Sequence, residues 1–185
     1  VDLYEQVLGA DPTSAGARTG LEALLPKAAL RQRVARLLER VYLAASAWTP
    51  LQGILRVLTE FAAGAHDKLE LLARIAELEE RELGSRQQAF ATWCEALRTE
   101  PGEPRARAAV ERLSADLDLW HKTAEVYEAV VAAPDQADVH LRGQLYSRLG
   151  EIYQGKLKNP ELAERAYRKL LEVDAGNLEV VRPAA

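Results

Sequence analysis

The chain has 185 residues, 48% of them apolar and 28% charged, the balance of an ordinary folded soluble protein. Its net charge of −4 and pI near 5.5 argue against a nucleic-acid groove fed by a basic field. No apolar run approaches the roughly 18 residues a membrane span needs, no signal peptide is visible, and the single cysteine, Cys94, excludes an internal disulfide and fits a reducing compartment such as the cytoplasm.

Ala, Leu, Arg and Glu dominate, all strong helix formers, and Pro26, Pro50, Pro104 and Pro160 fall at helix entries, where a missing N–H costs nothing. Alternating β-branched runs are absent. The pattern predicts helices over 1–10, 13–25, 28–45, 48–62, 67–83, 86–99, 104–116, 119–133, 137–156, 160–173 and 176–182, an all-α chain. Methionine is missing even at position 1, so the chain is expected to be a segment or a processed product.

Sliding the sequence on itself reveals internal repetition. A shift of 74 lays residues 71–101 on 145–175 without a gap, so that Arg74 meets Arg148, Glu77 meets Glu151 and Ala89 meets Ala163. A shift of 72 lays 33–58 on 105–130, so that Arg33 meets Arg105, Glu39 meets Glu111 and Trp48 meets Trp120. Four repeats follow, marked by Leu38, Ile75, Val110 and Leu149 at separations of 37, 35 and 39. They alternate between two types. After Ile75 and Leu149 comes a small residue, Ala76 or Gly150; after Leu38 and Val110 comes a glutamate, Glu39 or Glu111.

The clearest copy is Tyr146 to Asp174, where Leu149-Gly150-x-x-Tyr153 is followed by Ala163-x-x-x-Tyr167. This resembles the tetratricopeptide repeat, a pair of antiparallel helices repeating about every 34 residues. The resemblance implies a right-handed α-solenoid of antiparallel helix pairs, with first helices lining a concave face. It divides 1–185, taken as one solenoid segment, into repeats at 28–63, 66–100, 103–134 and 137–175, with a partial repeat plus an extra helix over 1–27 and the start of a truncated repeat at 176–185. Tyr4-x-x-Val7-Leu8-x-x-Asp11-Pro12 reads as a second helix without its first, and Leu178 to Val181 as a first helix cut short. Thr13 to Leu25, closed by Pro26, is expected to be an additional separate helix that changes the superhelix direction locally. Gly150 is expected to pack near Ala163, and replacing Glu111 is expected to matter much less than replacing Gly150.

Nothing in the chain looks like a catalytic constellation, and no enzymatic activity, metal or cofactor is expected. His66 and His140 share a slot under the shift of 74, which reads as inherited repeat similarity on a solvated helix end, since no zinc-like spacing surrounds either. Cys94 lacks an activating neighbour and reads as a plain, half-exposed thiol. Trp48, Trp93 and Trp120 read as core or inter-repeat packing rather than a base-stacking surface. Glu77, Glu79, Glu80 and Glu82 read as a solvated, salt-bridged helix face.

The resemblance therefore points to a protein-interaction scaffold. Its partner is a peptide or helix of another protein, or neighbouring copies or flanking repeats of the same chain, with no nucleic acid and no membrane in this segment. The alternative is a structural spacer or self-assembling element of a larger complex. The concave slots hold Arg33, Arg36, Arg40, Glu70, Arg74, Glu77, Arg105, Arg112, Arg148 and Glu151. Peptides ending in an acidic carboxylate tail are expected to bind weakly, because no repeat carries the lysine–asparagine pair of the family's carboxylate clamp. Because the sign alternates, a charge ladder Arg40–Glu77–Arg112–Glu151 is expected along the inner wall, with Arg33–Glu70–Arg105 beside it.

Overall fold

A computed structural model describes residues 1–11, 13–133 and 137–181, with the backbone alone for 174 and 176–181. The expected repeat end at 134 and last-helix end at 182 lie outside the described residues. Among these residues the chain forms ten α-helices and no strand: α1 (Asp2–Ala10), α2 (Ala15–Leu24), α3 (Ala28–Ala44), α4 (Trp48–Thr59), α5 (Ala65–Arg81), α6 (Arg86–Thr99), α7 (Pro104–Leu117), α8 (Trp120–Ala132), α9 (Val139–Glu151) and α10 (Pro160–Val181). A π-helical turn, Ile152–Lys156, extends α9. The helices group into two compact units, Val1–Thr92 and Trp93–Ala185.

Local chemistry sets the helix starts. Pro104 stands first in α7, and the Glu103 carboxylate before it accepts the Arg105 amide at 3.0 Å. Asp138 accepts the Leu141 amide at 2.7 Å ahead of α9, and Asn159 accepts that of Leu162 at 3.1 Å ahead of α10. As the sequence predicts, α2 is a helix separate from α3, ending before Pro26. Helices over 160–173 and 176–182 are not separate: one helix runs from Pro160 to Val181. The stretch between the two expected helices, Asp174 and Ala175, carries no proline, and the Gly176 that follows costs only about 1 kcal/mol inside a helix.

The turns repeat with the same periods as the sequence. Among the described residues four have positive φ: Ser46 (51°), Gly84 (63°), Asp118 (54°) and Lys158 (53°). Ser46 and Asp118 match under the shift of 72, Gly84 and Lys158 under the shift of 74. The hydrogen bonds around them come in two alternating kinds. After Ser46 and Asp118 the next amide reaches back five residues, Ala47 to the Tyr42 carbonyl (2.8 Å) and Leu119 to that of Ser114 (3.1 Å). After Gly84 and Lys158 it reaches back six, Ser85 to Glu79 (2.7 Å) and Asn159 to Tyr153 (2.8 Å). The second kind holds one more residue between the marker aliphatic and the left-handed residue, and the π turn at Ile152–Lys156 accommodates it.

Each unit has its own core. In the first, Leu8 of α1 and Leu21 of α2 join Val34, Leu38 and Val41 of α3, Leu51 and Leu55 of α4, and Ile75 of α5. In the second, Val110 and Leu113 of α7, Tyr127 and Val130 of α8, and Leu145 and Leu149 of α9 are buried, with Ala163 and Ala166 of α10. Each fully buried leucine contributes about 1.5–3 kcal/mol. Gly150 is buried, as expected, against the second helix of its own repeat, where its nearest neighbour is the Tyr167 ring. A Cβ there would enter the ring's van der Waals envelope, and Gly20 of α2 meets Tyr4 of α1 in the same way.

Candidate functional site

The polar face of α9 borders an open groove of about 440 Å³. His140, Gln144, Ser147 and Glu151 recur every three or four residues and so share one side of the helix. Gly143 leaves the groove floor low between them, while Val139 and Leu170 of α10 give it apolar margins. Val139 is 43% exposed. His140 Nε2 lies 2.8 Å from Gln144, and Gln144 also accepts from Arg107 of α7 at 3.1 Å. Two residues predicted for the concave face, Arg148 and Glu151, line this groove and hydrogen-bond each other.

The other predicted residues are spread over α3, α5 and α7. Arg33 is turned to Asp2 and Glu5 of α1, and the two carboxylates hold its pKa above the ordinary guanidinium value. Arg36, Glu70 and Arg112 are exposed. Arg40 is exposed beside Leu8, Leu37 and Val41 and makes no ion pair with the described residues. Arg105 stands over the Trp93 ring, 6.0 Å from its centre.

The expected rung Arg40–Glu77 is not made: Glu77 faces Arg81 one turn on, at 3.9 Å, and Arg33 has gone to α1. The observed rungs lie one residue earlier on the first helix and three earlier on the second, with the signs reversed. Glu39 of α3 meets Arg74 of α5 at 2.5 Å, and Glu111 of α7 meets Arg148 of α9 at 2.8 Å. These pairs are the same pair under the two shifts, so each unit carries one copy. The Glu111 hydrogen bond, ahead of that from Glu151, raises the pKa of Arg148. Glu111 also accepts from the hydroxyl of Tyr127, which is fully buried and whose pKa is raised first by that burial and then by Glu111. Glu111 is thus a hydrogen-bonding hub. Thr123 is buried against Ser114.

Two further expectations are corrected by burial. Glu79, read as part of a solvated acidic face, is 1% exposed. Gln52 of α4 donates to it at 2.6 Å, Thr92 of α6 at 2.7 Å, and Arg56 lies 3.6 Å away. The signal was present, since the shift of 74 lays Glu79 on Tyr153, an interior slot. Cys94, read as half-exposed, is buried, and that burial pushes its thiol up to about 11, which disfavours the thiolate at neutral pH. Trp93 and Trp120 are buried as expected, Trp120 with Lys156 5.2 Å and Arg148 6.0 Å from its ring centre. His66 and His140 are exposed in the first turns of α5 and α9.

Among the described residues no three His, Cys, Asp or Glu side chains converge as a metal site, and no helix is long and apolar enough to cross a membrane. No protein-family model matches the chain, and no curated protein matches it.

Proposed function

We propose that the chain is a non-catalytic protein-interaction scaffold of tetratricopeptide-like helix pairs, stacked as a right-handed solenoid. The groove along α9 receives a peptide or helix of a partner. The observation that carries the reading is the coincidence of that groove with the first-helix slots the repeat pattern assigns to a concave face. The left-handed residues Ser46, Gly84, Asp118 and Lys158, one per expected repeat, support the repeat assignment independently. The groove's mixed rim of imidazole, amide, hydroxyl and ion pair suits a polar backbone flanked by small apolar side chains.

A photo-crosslinking residue at Ser147 is expected to trap a discrete partner in native extract, and His140→Glu with Gln144→Glu is expected to abolish the adduct. A persisting adduct in that variant would place binding elsewhere. A second reading, a structural spacer or self-assembling element, is favoured by the saturation of Arg33, Arg74 and Arg148 by glutamates and aspartate of the chain itself. Concentration-dependent assembly of the isolated chain in light scattering, without any crosslinked partner, would favour it.

A further inference from the structure

A second cavity, of about 300 Å³, opens between α8, α10 and the opposite side of α9. At 100° per residue, Tyr146, Leu149 and Tyr153 project about 120–180° away from His140, and the residues lining this cavity and the groove are different. Its floor is apolar, made by Val131, Leu149, Leu162 and Ala166. Its polar rim is only partly satisfied. The Tyr153 hydroxyl donates to Glu128 at 2.7 Å, and Lys169 bonds Glu172 at 2.7 Å. The Arg165 guanidinium and Tyr146 hydroxyl make no hydrogen bond or ion pair with the described residues. The guanidinium only donates, and the phenol can donate or accept.

The first unit shows the same position closed. Under the two shifts Glu128 corresponds to Arg56, Tyr153 to Glu79, Ala166 to Thr92, Arg165 to Ala91 and Tyr146 to Leu72. There Gln52, Arg56 and Thr92 converge on the Glu79 carboxylate, which is 1% exposed. The first unit therefore supplies its own buried carboxylate and surrounds it with donors. The second unit has a phenol in place of that carboxylate, and an arginine and a second phenol in place of alanine and leucine.

We propose that this cavity binds an acidic segment of a partner protein. An apolar side chain enters between Leu149 and Leu162, and a neighbouring carboxylate meets Arg165. The guest thereby supplies the anion that Glu79 supplies in the first unit. This proposal stands apart from the α9 groove and survives if that groove is unused.

The test is an NMR amide titration of the full chain with a short peptide, blocked at both ends, carrying one leucine and two glutamates in a polar uncharged background. Saturable shifts are expected at Ala132, Leu149, Tyr153 and Ala166. Arg165→Gln is expected to weaken binding about tenfold, the loss of one charge-assisted hydrogen bond, as is replacing the peptide's glutamates by glutamine. Ala132→Trp should block the cavity from its rim, and Ser147→Glu should change nothing. Equal binding of the neutral peptide, no effect of Arg165→Gln, or shifts confined to the His140 side of α9 would overturn the proposal. So would occupation by 4-phenylbutyrate but not by the peptide, which would make this a small-carboxylate site.

Discussion

Arg148 holds both carboxylate oxygens of Glu111, through Nε at 3.0 Å and Nη2 at 2.8 Å. The fork geometry makes this more than a surface contact, and the Tyr127 hydroxyl adds a third donor from the core side at 2.8 Å. The matching pair in the first unit, Glu39 and Arg74, is a single contact. Removing Glu111 strands a buried phenol and a partly buried guanidinium. Glu111→Ala is therefore expected to cost about 1–3 kcal/mol, and Glu39→Ala about 0–1 kcal/mol. Urea denaturation of the two variants checks this; equal losses would show that the hub has no energetic significance.

Lys158 holds the left-handed conformation that Gly84 holds in the equivalent turn. A side chain there is strained by roughly 1–2 kcal/mol, while glycine gives the unfolded chain about 0.4–1 kcal/mol of extra freedom. Lys158→Gly is thus expected to stabilise by up to about 1 kcal/mol, and Gly84→Ala to destabilise by about 1–2 kcal/mol. Melting temperatures should move in opposite directions. A drop in both variants would mean the Lys158 side chain makes contacts that outweigh its strain.

The helical pattern was legible almost throughout, because Ala, Leu, Arg and Glu favour helix wherever they stand and prolines mark the entries. The period of the repetition was legible too, and the left-handed turns fall where the two shifts require. What could not be read was partner choice among long side chains. Arg33 was assigned to the inner wall by its slot, yet it turns to two carboxylates of α1, Asp2 and Glu5. The observed pair Glu39–Arg74 lies one residue from Arg40 and three from Glu77, which on a helix are rotations of only about 100° and 60°. Glu79 departs from the solvated face because Glu77, Glu80 and Glu82 around it in sequence keep contact with solvent, while its own spatial neighbours come from α4 and α6.

Gly150 lies against the face of Tyr167, so a methyl group there must push the ring aside. In an exposed helix Gly→Ala would stabilise by about 1 kcal/mol; here Gly150→Ala is expected to cost about 1–3 kcal/mol by overpacking. Combining it with Tyr167→Leu should cost less than the sum of the two single changes, because the clash is then removed. Strict additivity in a double-mutant cycle would show that the glycine is not held by this ring.

The last expectation concerns alkaline pH. Three buried tyrosines donate to carboxylates: Tyr42 to Glu22, Tyr127 to Glu111 and Tyr153 to Glu128, at 2.7, 2.8 and 2.7 Å. Burial first, then the adjacent negative charge, raises all three above the ordinary phenol value, Tyr42 to about 12. In the unfolded chain they titrate near 10. Below that pH both states hold the protons and the stabilisation is complete. Above it the unfolded chain releases protons that the fold retains, so stability falls as pH rises, for Tyr42 through about 10 to 12. Each such group can contribute a slope of at most about 1.4 kcal/mol per pH unit. Loss of the Glu111–Arg148 pair is not the cause, because Arg148 is raised further and stays cationic. Urea midpoints measured between pH 9 and pH 12 (about one unit below the phenol range to its upper end) should therefore decline, and Tyr127→Phe should flatten the decline while leaving the Glu111–Arg148 bonds in place. An unchanged slope in that variant would mean that the Tyr127 proton is not retained by the fold.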